Sequence, residues 1–158
     1  MPTPTPPNYE VAFVSSVPDA DGINAIASGR QIRIRLNHID APEDGQPFAS
    51  PARQFLSSLV IETYILFHTI KIDRYGRHVA DVLTHDGLDV SLLMLQHGFA
   101  WWYRVYSRSR QHRDAQTFAR LHRKRLWSDP NPEPPWNYRN RMKGIKQKPD
   151  RGKEYEQA

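Results

Sequence analysis

The chain contains no cysteine among its 158 residues. This absence excludes a disulfide scaffold, thiol catalysis and any zinc site built from cysteine. No apolar run approaches the roughly 20 residues that a membrane-spanning helix needs, and the N-terminal stretch shows no basic segment followed by an apolar one, the pattern of a signal peptide. The seven histidines lack the HExxH spacing of zinc hydrolases, and there is neither a GxSxG motif nor a Gly-rich phosphate loop.

Positive charge is concentrated near the C-terminus. The chain carries 22 Lys and Arg against 17 Asp and Glu, a net charge of +5. Residues 139–158 hold seven basic and three acidic residues, or +4, so the rest is nearly neutral. Composition therefore predicts a disordered Pro- and Thr-rich segment at 1–8, one folded domain at 9–138 and a basic, flexible tail at 139–158.

Hydrophobic periodicity predicts an order of elements typical of a small β-barrel with packed helices. Strands are predicted at residues 11–17, 23–27, 32–36, 63–72 and 77–84, and helices at 50–59, 89–97 and 109–125. The run DPNPEPPW that begins at Asp129 is too rich in proline for a helix or a central strand. Its last residue, Trp136, and Tyr138 just beyond it are candidate anchors that hold this run against the body of the domain.

Acidic side chains gather in two short segments. RLNHIDAPED places Asp40 and Glu43 in a loop after a strand, and PDADG places Asp19 and Asp21 in a turn before it. If the two strands between these segments pair as a hairpin, both lie at the same end of it. Converging carboxylates with no soft ligand nearby suit a hard cation such as Ca²⁺. The alternative is that the aspartates simply favour turns.

Two further segments carry groups that suit nucleic acid. In DRYGR, Arg77 lies close to Tyr75, and together with Arg35 from another strand it could clamp a phosphoryl group from two sides. In GFAWWYRVYSRSR, aromatic residues alternate with arginines, a pattern typical of single-strand binding because bases stack and phosphates pair. We expect the tryptophans Trp101 and Trp102 to be core residues and Tyr106 to be functional.

Together these segments resemble the staphylococcal-nuclease-like (thermonuclease) family, from about residue 11 to 136. The matching stretches are VSSVPDADGINAIASGRQIRIRLNHIDAPEDGQPF, IKIDRYGRHVADV, GLDVSLLMLQHGFAWWYRVYS and RLWSDPNPEPPW. The resemblance implies an α+β, mainly β fold: a five-stranded OB-fold barrel with about three packed helices. It also implies calcium-dependent endonucleolytic hydrolysis of DNA, and of RNA, with low sequence specificity.

Carried over position by position, the resemblance implies a metal site and a base. The metal-binding carboxylates correspond to Asp21 and Asp40, and a backbone carbonyl ligand corresponds to Ala41. The carboxylate proposed to activate water corresponds to Glu43. The segment DGDT of the family reads DADG here, which replaces a glycine by Ala20 and a threonine by Gly22.

The resemblance also implies contacts to the substrate. The two phosphate-binding arginines correspond to Arg35 and Arg77, and the nucleotide-binding positions to Arg74, Tyr75 and Tyr106. We expect single-stranded or frayed DNA and RNA as partners, a monomer, and no membrane association. Family members are often exported, but the sequence shows no export signal.

A binding module is the competing interpretation. If the DADG turn has lost productive metal geometry, the barrel and its basic surface would hold nucleic acid without cleaving it. Retention of the two arginines, the two metal-binding carboxylates and the water-activating carboxylate together favours the enzyme. An interaction domain with no affinity for polyanions has only the proline-rich run and the basic tail to support it.

Overall fold

The computed structural model describes residue 6 and residues 8–144. The predicted disordered segment and much of the predicted tail therefore lie outside the described residues. The elements, in chain order, are β1 Glu10–Asp19, β2 Gly22–Ala27, β3 Arg30–Leu36, β4 Ile39–Asp40, α1 Ala49–Val60, β5 Tyr64–Ile72, β6 His78–Thr84, α2 Val90–Gln96, β7 Trp101–Trp102, α3 Arg110–Leu121, a 3-10 helix Arg125–Ser128 and α4 Pro135–Met142.

Five strands close into a barrel in the order β1-β2-β3-β6-β5, which confirms the predicted OB-fold architecture. β1, β2 and β3 form an antiparallel meander, β3 pairs in parallel with β6, and β5 closes the barrel against β1. Alternation along each strand sends one set of side chains inward, including the fully buried Ile23, Ile34 and Phe67. Helices α1 and α2 pack against this core through Leu56 and Met94.

The helices begin largely where the sequence predicts. Asp89 caps α2 by accepting the Leu92 N–H at 2.9 Å, and the Ser109 side chain caps α3. The predicted helix at 109–125 ends earlier, because the chain turns at residues 122–125, where Arg123 and Arg125 adopt positive φ. Across residues 8–144, no helix has the length and hydrophobicity to cross a membrane.

Two short strands that the sequence does not predict fix the acidic loop. β4 pairs with β7, so that Asp40 stands opposite Trp101. The prediction of a loop after Leu36 is therefore wrong at residues 39–40. The physical reason is that the pairing partner lies about sixty positions further along the chain, where no local pattern reveals it. Trp101 is fully buried, as predicted, and Trp102 packs at the edge of the barrel core.

The C-terminal segment returns to the body as a fourth helix. α4 begins at Pro135, so the expectation of no helix in the proline-rich run is wrong at its last two residues. Proline is tolerated in the first turn because its missing N–H has no partner there. Both predicted anchors are confirmed: Trp136 stacks on Tyr103 with ring centroids 5.6 Å apart, and the Tyr138 hydroxyl donates to the Asp44 carbonyl at 3.3 Å. The predicted boundary at residue 138 falls within α4, which continues to Met142.

Candidate active site

One open cleft of about 960 Å³ lies at the barrel end where β1, β3 and β5 finish. Eight of the nine residues predicted for the site line it: Asp21, Arg35, Ala41, Glu43, Arg74, Tyr75, Arg77 and Tyr106. The ninth, Asp40, lies directly behind them with its side chain fully buried. The topology thus gathers residues from the β1–β2 turn, β3, the 41–44 loop, the β5–β6 turn and the loop after β7.

The two acidic segments meet at one end of the β2–β3 hairpin, as predicted. The Leu36 N–H donates to the Asp21 carbonyl at 2.9 Å, and the Ala41 N–H donates to Asp21 Oδ2 at 3.0 Å. The second hydrogen bond fixes the Asp21 carboxylate beside the backbone of the loop that follows Asp40. Backbone pairing therefore sets the relative position of these two carboxylates.

The DADG turn accommodates both of its substitutions without backbone strain. Ala20 is buried in the barrel core and is not among the described residues with positive φ. Gly22 also has an ordinary φ, and a Cβ added there would lie 3.2 Å from Asp19 Oδ2. Alanine therefore fits the turn, and a side chain at position 22 would require a small shift of the Asp19 carboxylate.

Arg35 binds both proposed metal-binding carboxylates. Its Nη1 lies 3.4 Å from Asp21 Oδ2, and its Nη2 donates to Asp40 Oδ1 at 3.3 Å. Nη1 also donates to the backbone carbonyls of Leu36 and Ile39, at 3.0 and 2.8 Å. Burial opposes the charged guanidinium, but Asp21 and Asp40 outweigh it and raise the pKa of Arg35. One buried cation thus holds the two carboxylates next to each other.

Arg139 is a member of the site that the sequence analysis missed. Its guanidinium donates to both Asp40 oxygens, at 3.1 and 2.7 Å, and to Glu43 Oε1 at 2.7 Å. Burial raises the pKa of Asp40, while Arg139 and Arg35 act in the opposite direction. Arg139 was assigned to a flexible tail because its charged surroundings resemble one. The anchors predicted at Trp136 and Tyr138 were the signal that could have placed it on the body.

The oxygen donors of the cleft fit a hard cation. Burial, followed by the negative charges of Asp21 and Glu43, raises the pKa of Asp19, while Arg77 and Arg35 act in the opposite direction. All candidate ligands are oxygen atoms, which suits Ca²⁺. Within residues 8–144, no three acidic or histidine side chains converge as a metal cluster. The set implied by the resemblance needs only two carboxylates, Asp21 and Asp40, with the Ala41 carbonyl.

Asp73 positions Arg77, and it is the second residue that the analysis missed. Asp73 Oδ1 accepts the backbone N–H groups of Tyr75 and Arg77, both at 2.9 Å, and Oδ2 accepts Arg77 Nε at 2.8 Å. Burial acts against the carboxylate, but these hydrogen bonds outweigh it and lower the pKa of Asp73. An aspartate that accepts amides two and four positions later is typical of such turns, and the motif DRYGR contained that signal.

Two tyrosines stand among cations on the walls of the cleft. Tyr75 is 57% exposed, and the guanidiniums of Arg74 and Arg77 lie 4.9 and 5.4 Å from its ring centroid. Lys71 Nζ lies 4.5 Å from the ring centroid of Tyr106, and Arg35 lies 5.5 Å from it. Rings beside positive charges can take a base on one side and its phosphate on the other.

The OB-fold barrel gathers carboxylates, arginines and tyrosines in one cleft. The profile of the family described as "Staphylococcal nuclease homologue" matches residues 33–129, more than half of the chain. The chain belongs to this family, and it is a nuclease, a hydrolase of phosphodiester bonds.

Known proteins agree with this assignment. A protein named "Micrococcal nuclease" from Shigella flexneri is 38% identical over 140 residues, covering 80% of this chain and 79% of the relative. An "Uncharacterized endonuclease" from Escherichia coli is 37% identical over 128 residues, covering 81% and 84%. "Protein ParB" from Escherichia coli is 34% identical over 131 residues, covering 77% and 74%.

Proposed function

We propose that the protein is a calcium-dependent endonuclease that hydrolyses DNA and RNA with low sequence specificity. The observation that carries this proposal is the cleft itself. It gathers carboxylate oxygens, arginine side chains and tyrosine rings from five separate segments. A scissile phosphate, its attacking water and the neighbouring bases each have a matching group there.

The carboxylates of Asp21 and Asp40 and the carbonyl of Ala41 would hold the calcium ion. When bound, the ion supplies positive charge that neutralises the phosphate and orients water. Arg35 contributes by holding the two carboxylates together, at 3.4 and 3.3 Å from its Nη atoms. The resemblance to calcium-dependent nucleases implies that cleavage needs this ion, so we expect a strict requirement for metal.

Glu43 accepts the proton of the attacking water in this mechanism. Its side chain is 39% exposed in the cleft, so a water molecule can reach the carboxylate. Glu43 Oε1 accepts the hydrogen bond from Arg139, so Oε2 is the oxygen that faces the water in this mechanism. A general base has to lie within hydrogen-bond reach of the proton that it removes.

Arg77 and Arg35 stabilise the charge that builds on the phosphoryl oxygens. Arg77 is partly exposed and is aimed by Asp73, so it offers donors directly to a phosphate. Arg35 is only 5% exposed, so a phosphate reaches it through the small part of its surface that lines the cleft. Removing a donor of this kind costs about 10²- to 10³-fold in rate.

Tyr75 and Tyr106 orient the nucleotides, with Arg74 as a nearby partner for phosphate. Stacking is worth roughly 1–3 kcal/mol per base and discriminates weakly between bases. It also needs an unpaired base face, which is why we expect single-stranded or frayed substrates. The chain has every group it needs within one cleft, and we expect it to act as a monomer.

A binding module without catalysis is the second candidate. The observation that favours it is that both oxygens of Asp40 accept hydrogen bonds from Arg139, so this carboxylate already has a cationic partner. In that case the same cleft would bind single strands through phosphate contacts, each adding about 0.7 to the salt dependence of log affinity.

Digestion of single-stranded DNA separates the two functions. We would measure cleavage by the full chain with Ca²⁺, with a calcium chelator, and with Glu43→Gln and Glu10→Gln variants. Glu10 is exposed on β1, away from the cleft, and controls for the loss of one carboxylate. The endonuclease predicts cleavage that disappears with chelator and with Glu43→Gln but persists in Glu10→Gln. A folded protein that binds DNA in a salt-dependent way without cutting it would refute the endonuclease.

A further inference from the structure

The segment after α3 forms one wall of the active site. From the 3-10 helix at Arg125–Ser128, the chain runs through three prolines to a fourth, Pro135, which begins α4. The Trp136 ring lies 5.5 Å from that of Trp101, with the two rings edge to face. This aromatic contact fixes the start of α4 against a fully buried residue, so the helix is held at a defined place beside the cleft.

Arg139 projects from α4 and binds the carboxylates of Asp40 and Glu43. Nη1 donates to Glu43 Oε1 at 2.7 Å and to Asp40 Oδ1 at 3.1 Å, and Nη2 donates to Asp40 Oδ2 at 2.7 Å. A planar guanidinium with this pattern fixes the distance and the angle between its partners. Asp40 itself is fully buried on β4, so it is the rigid reference against which Glu43 is held.

The same C-terminal segment also holds the backbone of the loop that carries Glu43. Gln46 Nε2 donates to the Glu133 carbonyl at 3.0 Å, while Gln46 Oε1 accepts the Glu43 N–H at 2.9 Å. The Tyr138 hydroxyl reaches the Asp44 carbonyl. Glu43 is therefore fixed twice, through its backbone by Gln46 and through its side chain by Arg139.

Gly45 shows how closely the segment approaches this loop. Its φ is +95°, and a Cβ added there would lie 2.6 Å from the Tyr138 hydroxyl. The glycine therefore serves two needs, a left-handed backbone and a close approach. The loop and α4 are matched to each other, which argues against a chance contact.

The rate of an enzyme falls when its catalytic groups are not held in a fixed orientation. A general base has to be held within about 0.5 Å of its productive position, and a glutamate on a short loop has several side-chain rotamers available. The 39% exposure of the Glu43 side chain means that packing alone does not restrict it. The three hydrogen bonds of Arg139 supply that restriction.

We propose that Arg139 is a positioning residue, which fixes the Glu43 carboxylate relative to Asp40 and so couples the C-terminal segment to catalysis. This inference rests on the proposed nuclease function for its kinetic consequence. Its structural content, the ordering of the Glu43 loop by Arg139, does not depend on activity.

The test compares Arg139→Gln and Arg139→Lys with Arg141→Gln in the full chain. Arg141 lies on the same helix and pairs with Glu133 at 2.9 Å on the surface, so its variant controls for lost charge and for helix stability. We would measure kcat and KM on single-stranded DNA. Hydrogen exchange of the backbone amides at residues 43–49 would be followed with and without Ca²⁺.

We expect Arg139→Gln to lower kcat about 10- to 100-fold, the range seen when a group that orients an active-site residue is removed. KM should change less than about threefold. Arg139→Lys should behave like Arg139→Gln, because one ammonium group cannot reproduce the fork that bridges two carboxylates. Exchange should become faster at residues 43–49 and remain unchanged in the barrel strands, while Arg141→Gln should resemble the wild type.

Two results would overturn the proposal. Full recovery of kcat by Arg139→Lys would show that positive charge suffices and that the bridge is irrelevant. Unchanged exchange at residues 43–49 in Arg139→Gln would show that Arg139 does not order the loop. If the wild type cuts no DNA under any condition, the proposed function fails, and the exchange measurement alone decides whether Arg139 orders the loop.

Discussion

Replacing Arg35 by lysine tests how far one buried guanidinium organises the cleft. The side chain is 5% exposed. It donates to the carbonyls of Leu36 and Ile39 as well as to Asp40, and lies beside Asp21. Lysine keeps the positive charge but brings a single ammonium group, which can replace only part of this set.

The expected loss of stability follows from these contacts. Hydrogen bonds to a charged group contribute about 1.5–3 kcal/mol each, so losing one or two of them should lower the free energy of unfolding by about 3 kcal/mol. For a chain of this size that corresponds to a fall in Tm of roughly 6–12 °C. The variant should still fold, because the free energy of unfolding of a domain is about 5–15 kcal/mol in total. The rate should fall about 10²- to 10³-fold if the guanidinium also stabilises the transition state.

Arg77→Lys is the matched comparison. Arg77 is more exposed, with 29% of its side chain accessible, and its ion pair with Asp73 should be worth less than about 1 kcal/mol. Thermal unfolding and cleavage of single-stranded DNA would be measured for both variants, together with the DNA Kd in the presence of chelator. We expect the cleavage rate to fall in both variants and the Tm to fall only in Arg35→Lys. Neither substitution should weaken DNA binding more than about tenfold. An Arg35→Lys protein with the wild-type Tm would refute the organising role, and one with the wild-type rate would refute the role in catalysis.

Three further substitutions have outcomes that the structure predicts. Asp73→Asn should lower kcat about tenfold, because it removes the oxygen that aims Arg77. Since the pKa of Asp73 is lowered, its contribution to stability is complete above about pH 3.8 and disappears as the pH falls through the lower folded-state pKa. Denaturation of wild type and variant should therefore differ at pH 5–7 and converge below about pH 3.8, and an equal difference at every pH would contradict this account. Gly98→Ala should destabilise the fold by more than about 2 kcal/mol in chemical denaturation, because φ is +78° and the new Cβ would lie 2.8 Å from the Lys124 carbonyl carbon. A cost below about 0.5 kcal/mol would mean that the turn relaxes freely. Gly22→Thr should fit with a small shift of its neighbour and strengthen calcium binding in calorimetry about tenfold, whereas unchanged affinity would show that the missing hydroxyl has no role.

Local patterns predict the barrel well because its strands carry their own signals. Alternating isoleucines and arginines identify β3, and Asp89 and Ser109 identify the starts of two helices through their side-chain caps. The fixed closure of β1 against β5 follows from the family resemblance. By contrast, β4 and β7 have two residues each, and each is a strand only because it pairs with the other. Strands that short have no periodicity to detect.

The residues of the candidate site also differ in whether a local sequence pattern reveals them. Residues that belong to motifs, such as Asp21, Glu43 and Tyr75, were predicted and lie in the cleft, and their individual roles stay predictions. Arg139 was missed because it acts through a contact with Asp40 across 99 residues of sequence. Asp73 was missed for another reason: its hydrogen bonds are local, but a turn aspartate is so common that it attracts no attention.

The long-range contact of Arg139 has a consequence for the order in which the molecule is assembled. A ribosome delivers β1, β2 and β3 early, and these strands pair with their immediate neighbours. The partner of Asp40 and Glu43 emerges about a hundred residues later. Contacts that close such long loops are the slowest to form. On this account the barrel forms before Arg139 reaches the carboxylates of Asp40 and Glu43, so this part of the cleft is completed last.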